Sequence, residues 1–141
     1  MNYFMKKWHN FINKQKDSNH VAKVILFSGD KILVLRTALG EFKGQLDLPG
    51  GHLHYNEEPE TGLQREVKEE TNLLLTSFTK IYRDDRIHFY WGLLPDQDIT
   101  LSHEHSGYDL LHLDEIATEG YEISDTFLKA IKEAYQLVQK S

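Results

Sequence analysis

Two nearly continuous apolar runs in the first third of the chain predict β-strands. Residues 21–28 and 31–36 are rich in β-branched and aliphatic side chains. Gly29-Asp30 stands between them and favours a two-residue hairpin turn. A further short strand, residues 45–48, is expected to lead into the strong turn signal Pro49-Gly50-Gly51.

A helical pattern follows, with apolar residues on one face. The helix should begin near Pro59, because the fixed φ and missing N–H of proline do no harm in a first turn. Leu63 and Val67 form the stripe that faces the core. The helix should end at Thr71, and Asn72 then takes a position that usually has a left-handed backbone. Asparagine is the commonest substitute for glycine there.

The second half of the chain predicts three more strands and two helices. Residues 74–82 and 86–94 alternate well enough for two strands that are joined near Asp84-Asp85. Residues 108–113 predict another strand, and residues 114–118 a short helix. Ser124 is the expected N-cap of a last helix, whose core face comprises Phe127, Ile131, Tyr135 and Val138.

Residues 1–18 differ in pattern from the domain predicted over residues 19–141. Apolar residues stand there at helical spacing among several lysines, so we expect an amphipathic helix. Such a helix would dock on the domain or on a second subunit, which leaves a homodimer open. The alternative is a basic arm that touches substrate phosphates or an anionic surface. The apolar residues are Phe4, Trp8, Phe11 and Ile12.

Composition and charge exclude several classes of function. With 141 residues, of which 40% are hydrophobic, the chain is long enough for one domain with one substantial core. A formal charge of −6 argues against nucleic acid as a partner, because neutralising phosphates needs clustered Lys and Arg. The absence of cysteine excludes disulfides and thiolate metal sites. No apolar run approaches the ~20 residues of a membrane span, and a secretory signal is lacking, so a cytoplasmic location is the expectation.

Three glutamates on the predicted helix form the main chemical signal. Glu66, Glu69 and Glu70 stand at i, i+3 and i+4, so their carboxylates should converge and repel by roughly 0.2–0.5 kcal/mol per pair. A bound cation would relieve this repulsion. Hard oxygen ligands suit Mg²⁺ or Mn²⁺, often together with substrate phosphates. Gly62 lies within the same arc of the helix and removes a side chain from the crowded site.

The spacing of these residues resembles the signature of the Nudix hydrolases, GX5EX7REUXEEXGU, in which U is aliphatic. Gly51, Glu57 and the run Arg65-Glu66-Val67-Lys68-Glu69-Glu70-Thr71-Asn72-Leu73 occupy its positions. Asn72 replaces the last glycine of the signature, and it is the one departure. The resemblance covers about residues 20–138. It implies an α/β fold, the Nudix-type α/β/α sandwich, with a mixed β-sheet between helices.

The resemblance also implies a reaction, namely Mg²⁺-dependent hydrolysis of a diphosphate linkage in a small nucleoside diphosphate derivative. Mn²⁺ is expected to be able to substitute for Mg²⁺ as the cofactor. Candidate substrates are a nucleoside triphosphate, a dinucleoside polyphosphate or a nucleotide sugar. One rival is an isopentenyl diphosphate isomerase, but those enzymes use a catalytic cysteine and this chain has none. The other rival is a non-catalytic nucleotide sensor, although such domains generally lose signature acids that are all present here.

Roles for individual residues follow from the same match. Glu66, Glu69 and Glu70 would bind the metal together with the carbonyl of Gly50, because a glycine turn lets the backbone approach an ion closely. Arg65 would orient the neighbouring carboxylates. In the family the first glutamate of the signature braces that arginine, which is Glu57 in this chain.

A second polar cluster, residues 101–108, resembles the loop that follows the signature in many Nudix enzymes. The match makes Glu104 a candidate extra metal ligand or general base, with Glu66 as its rival for the role of base. His105 could assist near neutral pH, although a loop histidine is more often structural or exposed.

Three further positions bear on the substrate. Many relatives carry an aromatic ring where this chain has Leu46 and another where it has Leu110, so a stacking contact with a base would be weaker here. Dinucleoside-polyphosphate hydrolases of the family often have a tyrosine at the position of Tyr90. One tyrosine in a strand is most often a packing residue, so Tyr90 only slightly favours that substrate class.

Overall fold

The computed structural model describes residues 18–140. The helix or arm that is predicted over residues 1–18 therefore lies outside the described residues, apart from Ser18. The Ser18 hydroxyl donates to the carbonyl of Leu53 at 3.1 Å, and the Ser18 N–H donates to the same oxygen at 3.2 Å. These bonds join the start of the described chain to the segment that follows the Pro49-Gly50-Gly51 turn.

The first two strands form the predicted hairpin. Strand β1 comprises Val21–Ser28 and strand β2 comprises Lys31–Thr37, with Ser28 opposite Lys31. Gly29 takes φ +63° in the turn, a conformation that glycine adopts without steric cost. The prediction of a hairpin around Gly29-Asp30 is confirmed.

Within residues 18–140 the strands form one mixed sheet. Strands β1 and β6 run parallel along their whole length, and the other pairs are antiparallel. The end of β1 pairs with β2, whereas its beginning pairs with β4, and β2 pairs with β3 and β7. The remaining strands are β3 (Leu46–Asp47), β4 (Gly50–His52), β5 (Phe78–Asp84), β6 (Ile87–Leu93) and β7 (His105–Leu111).

Helices cover both faces of this sheet. They are α1 (Pro59–Thr71), α2 (Leu113–Thr118) and α3 (Asp125–Lys140). The bounds of α1 are those predicted from the sequence. Ser124 caps α3 as predicted, since its hydroxyl accepts from the N–H of Phe127 at 3.0 Å. Within residues 18–140, no helix combines the length and the hydropathy that crossing a bilayer requires.

The core has two layers, because alternate residues of β1 point to opposite faces of the sheet. Val24 and Leu26 pack in a buried cluster with α1, whereas Ile25 and Phe27 pack in a second cluster with α3. The α/β/α sandwich with a mixed sheet is therefore confirmed. Helix residues in these layers are Leu63 and Val67 of α1, Ile116 of α2, and Ala130, Ile131, Ala134 and Tyr135 of α3.

Strand β4 is not among the sequence-based predictions, which treat Gly50-Gly51 only as a turn. Glycine has low β-propensity, so nothing local indicates a strand there. The pairing comes from the tertiary structure, since Gly50 lies opposite Lys23 and Gly51 lies opposite Ala22.

Strand β5 begins at Phe78, four residues later than the predicted start at Leu74. Leu73 and Leu75 are fully buried beneath α1, and Leu74 between them is exposed. Their backbone groups bond to side chains instead of to a strand: Gln97 accepts from the N–H of Leu74, and Gln64 donates to the carbonyl of Leu75. The alternation of buried and exposed side chains from Leu73 to Leu75 therefore reflects packing against the core, because strand pairing begins only at Phe78.

Strand β7 begins at His105 and ends at Leu111, whereas the sequence predicts a strand over residues 108–113. His112 ends the strand because it caps α2. Its Nδ1 accepts from the N–H of Asp114 at 3.0 Å, and the Glu115 carboxylate accepts from the N–H of His112 at 3.1 Å. Histidine is an uncommon N-cap, so this boundary has little local signal.

Candidate active site

The Gly50-Gly51 turn lies against β1 and against the signature helix α1. Gly50 takes φ +122°, and a Cβ there would overlap the carbonyl of Ala22, so the position requires glycine. A Cβ on Gly51 would lie 2.5 Å from Oε2 of Glu66. Glycine at this second position therefore lets the Glu66 carboxylate approach the turn.

Asn72 closes α1 as predicted, with φ +63°. Its N–H donates to the carbonyl of Lys68 at 3.0 Å, and its side-chain oxygen accepts from Nζ of Lys68 at 2.9 Å. The departure from the signature at this position thus keeps the left-handed cap geometry.

Arg65 connects the acids of the signature. Its guanidinium makes two bonds to the Glu57 carboxylate, at 2.9 and 3.0 Å, and it bonds the carbonyl of His52 at 3.0 Å. Nη1 donates to Glu66 at 3.0 Å and to Glu69 at 3.2 Å. The pairing with Arg65 lowers the pKa of Glu57. These are the contacts that an arginine orienting two carboxylates and braced by a third would make.

Gly62 serves this array in a different way from the one that the sequence indicates. A Cβ there would overlap a methyl of Leu53 and would lie 2.8 Å from Oε1 of Glu57. The missing side chain therefore makes room for Glu57, which bonds Arg65, and not for Glu66, Glu69 or Glu70.

The three glutamates of α1 have different environments. The Glu66 side chain is 18% exposed, the Glu69 side chain is 57% exposed, and Glu70 is buried. Burial raises the pKa of Glu66, against the effect of Arg65. Burial also raises the pKa of Glu70 to about 7, although Lys23 and the Gly50 N–H oppose the shift. Carboxylates with raised pKa values gain most from a nearby cation.

A cleft of about 470 Å³ opens beside these residues. Glu104 lines it from the loop before β7 and is exposed, and its charge contributes to the raised pKa of Glu66. The predicted loop acid and the signature helix are therefore brought together. Seven of the lining residues carry titratable side chains: Lys23, Asp47, His52, Glu66, Glu70, Glu104 and His105.

Lys23 and Asp47 belong to this cleft, and the sequence analysis does not include them. Nζ of Lys23 donates to Asp47 at 2.9 Å and to the carbonyls of Leu48 and Gly50 at 3.0 Å each. Burial lowers the pKa of Lys23, but Asp47 and Glu70 outweigh it and leave the pKa raised. The sequence signal is a single lysine inside the apolar run 21–27.

The carbonyl of Gly50 is thus already bonded to Lys23, while the N–H of Gly50 donates to Oε1 of Glu70 at 2.7 Å. A carbonyl oxygen has two lone pairs, so a metal ligand role for Gly50 is compatible with the Lys23 bond. The N–H and the carbonyl of Gly50 are therefore both bonded to side chains that line the cleft.

His105 is the first residue of β7 and is buried, so it is not a loop histidine. Its Nε2 lies 3.0 Å from Oδ2 of Asp47, and its Nδ1 lies 3.9 Å from Oε2 of Glu70. Each of these three residues offers a ligand atom within 4.8 Å of the others. The donor set of carboxylates and imidazole fits a divalent cation.

The positions that bear on substrate stacking are now placed. Tyr90 is 1% exposed and packs edge-on against Phe78 in the core beside α1, so it presents no ring to the cleft. Leu46 is also buried, in the core beside α3, whereas Leu110 is 38% exposed on β7. Tyr90 therefore acts as a packing residue, and its weak support for a dinucleoside polyphosphate is removed.

Comparison with a family model decides the relationship. Residues 18–131 match the model of the NUDIX domain, which includes every signature residue described above. The chain belongs to the Nudix family. A comparison with curated proteins gives no match.

Three solved structures with the same fold come from different organisms. A MutT protein from Methanosarcina mazei Go1 is 21% identical, with a TM-score of 0.68 over 86% of this chain and 94% of that chain. An Ap4A hydrolase from C. elegans is 19% identical, with a TM-score of 0.67 over 86% and 98%. The NUDIX domain of Shewanella oneidensis NrtR, solved with ADP ribose, is 19% identical, with a TM-score of 0.70 over 98% and 99%. At these identities the similarity shows the fold alone.

Proposed function

We propose that this Nudix protein hydrolyses a diphosphate linkage in a small nucleoside diphosphate derivative, with Mg²⁺ or Mn²⁺ as the cofactor. The observation that carries the proposal is the array around Arg65. It holds Glu66 beside the Gly50-Gly51 turn, in the cleft that Glu70 and Glu104 also line. A cytoplasmic location belongs to the same proposal.

Glu66, Glu69 and Glu70 are the proposed metal ligands, together with the carbonyl of Gly50. A divalent cation bound there would supply charge that neutralises phosphoryl oxygens and activates water. The bonds from Arg65 to Glu66 and Glu69 fix the two outer carboxylates before substrate arrives. Such preorganisation avoids a reorganisation cost in the transition state.

Two acids compete for the role of general base. Glu104 is exposed and lines the cleft, so it could reach a water molecule there. Glu66 has a raised pKa, but it is bonded to Arg65 and is also a proposed ligand. We propose Glu104 as the base because its carboxylate is not held by the Arg65 array.

The substrate class is proposed from the chemistry of the cleft and from the relatives. One of the similar structures is an Ap4A hydrolase, and another is a complex with ADP ribose. Both compounds are nucleotides with linked phosphates. Buried acids that need a cation suit a ligand that brings phosphate charge to the same cation. Macromolecular nucleic acid is not proposed, since the chain has a formal charge of −6.

A substrate screen tests the proposal. Nucleoside triphosphates, dinucleoside polyphosphates, ADP-ribose and sugar nucleotides would each be incubated with the protein in Mg²⁺, in Mn²⁺ and in EDTA. The proposal expects metal-dependent release of a phosphorylated product from at least one class. Tight binding of a nucleotide without turnover in either metal would favour the non-catalytic sensor.

A further inference from the structure

His105 lines the cleft, and within residues 18–140 its imidazole makes one hydrogen bond, which is to Asp47. Its side chain is 3% exposed, and Nε2 lies 3.0 Å from Oδ2 of Asp47. The other oxygen of Asp47 accepts from Nζ of Lys23 and from the N–H of Leu48. Every group around Asp47 thus donates to it, as an ionised carboxylate requires.

This arrangement fixes the tautomer of the imidazole. Because the carboxylate of Asp47 only accepts, Nε2 must carry the proton that lies between the two residues. In a neutral imidazole Nδ1 then presents a lone pair. A carboxylate that fixes the ring in this way is the usual outer partner of a metal-binding histidine.

The lone pair of Nδ1 points toward a carboxylate. Nδ1 is buried and has no hydrogen-bond partner among residues 18–140, and Oε2 of Glu70 lies 3.9 Å away. The other oxygen of Glu70 is bonded to Gly50 N–H. Two electron-pair donors this close in a buried place are unfavourable unless a proton or a metal ion lies between them, and 3.9 Å is too long for a hydrogen bond. One ion with bonds of about 2.1 Å to nitrogen and to oxygen can span such a separation.

We propose that Nδ1 of His105 is a nitrogen ligand to a divalent cation that Glu70 also binds, and that Asp47 is its positioning residue. The inference rests on the proposed function, since it concerns the same cleft. Imidazole suits ions such as Zn²⁺, Fe²⁺ and Ni²⁺, whereas Mg²⁺ prefers oxygen ligands. His105 therefore biases the cleft toward transition metals.

Pulsed electron paramagnetic resonance with Mn²⁺ alone tests the ligation in the native sequence. The full-length protein would be prepared twice, with ¹⁴N-histidine and with ¹⁵N-histidine. A directly bound imidazole gives a nitrogen modulation on Mn²⁺ that changes with the isotope. Absence of any histidine modulation in the Mn²⁺-loaded native protein would overturn the proposal.

Matched histidine variants identify the ligand. His52→Gln removes another histidine that lines the cleft, and His103→Gln removes the one beside Glu104. The modulation should survive in both variants and should disappear in His105→Gln. Its loss in His52→Gln or His103→Gln would overturn the assignment even if His105→Gln failed to fold.

The metal preference gives an independent readout. In a titration, His105→Gln should weaken Ni²⁺ binding by about 10–100-fold while it changes Mg²⁺ binding much less. An unchanged ratio of the two affinities would overturn the inference. Both measurements are made without substrate, so a failure of the proposed hydrolysis would leave their results separately interpretable.

Discussion

The side-chain contacts on the two sides of the cleft differ in how far apart their residues lie in the sequence. Arg65 joins acids that are close in sequence, and the resemblance to the Nudix signature implies those contacts. On the inner side Lys23 bonds Asp47 across 24 positions of the chain. Spacing gives no access to such a pair, because the strand pairing that brings it together is itself a tertiary event. The sequence predicts His105 as a candidate site residue, but it does not predict the burial of His105 or its contact with Asp47.

The pairing of Asp47 predicts a pH dependence of stability. Lys23 and His105 lower the pKa of Asp47 from 3.8 to about 2, against the effect of its burial. Because the folded pKa is lowered, the ionised carboxylate stabilises the fold above pH 3.8, and that contribution disappears as the pH falls through about 2. It amounts to about 2 kcal/mol.

Urea unfolding at a series of pH values measures this contribution. Asp47→Asn should be less stable than the native protein at neutral pH, and it should lose less stability than the native protein between about pH 5 and pH 2. Asp98→Asn, at an exposed position, serves as the matched control and should keep the native pH dependence. A native pH dependence in Asp47→Asn would show that Lys23 does not stabilise the ionised form.

The role of Glu104 is tested by separating rate from metal affinity. If Glu104 deprotonates the attacking water, Glu104→Gln should lower turnover by ~10²–10⁴-fold and remove the acidic limb of the pH profile. Metal affinity should change little, because the carboxylates of α1 remain. A variant whose rate recovers in excess Mn²⁺ would make Glu104 a peripheral ligand and would leave Glu66 as the base.

At the scale of the elements, α1 could be predicted because its signals are local. Proline at its start, the Leu63 and Val67 stripe and Asn72 after its end all act within a few residues. Strand β4 could not, because its glycines pair only where β1 presents an open edge. The last helix was predicted for the same reason as α1, through the Ser124 cap and a regular apolar face.

The left-handed cap of α1 predicts a contrast between two substitutions. Asn72→Gly should be neutral or slightly stabilising, because glycine adopts φ near +63° without strain. Asn72→Val should destabilise the protein by about 1–2 kcal/mol, because the left-handed region is unfavourable for a residue with a branched Cβ. Thermal or urea unfolding of the two variants side by side measures the difference. Equal stability would contradict the cap.

At the scale of the whole molecule, the sandwich places the signature helix on one face of the sheet, and β1, β2, β3, β4 and β7 all supply residues to the lining of the cleft. The fold class could be predicted from the resemblance to the Nudix signature, since the residues of that signature also set the helix and the turn beside it. The substrate could not, because no single residue of the described chain identifies a base or a sugar. Tyr90, which the sequence offered as a hint, is part of the core.

Cation binding should stabilise the entire fold. A cation that binds only the native protein raises the free energy of unfolding by RT ln(1 + [L]/Kd), about 2.7 kcal/mol at a hundredfold excess over Kd. The melting temperature should therefore be higher in millimolar Mg²⁺ or Mn²⁺ than in EDTA. Glu70→Gln should show a smaller difference. Identical melting temperatures of the native protein with and without metal would indicate a solvated acidic surface.

The central claim is that the carboxylates held by Arg65 bind a catalytic cation, and Glu66→Gln tests it most directly. The measurement is turnover at saturating Mg²⁺ on whichever nucleoside diphosphate derivative the native protein cleaves. Loss of a charge that the cation needs in the transition state should lower turnover by at least ~10²-fold. Glu133→Gln, an exposed acid on α3, should keep the native rate. Near-native turnover by a folded Glu66→Gln would contradict the account.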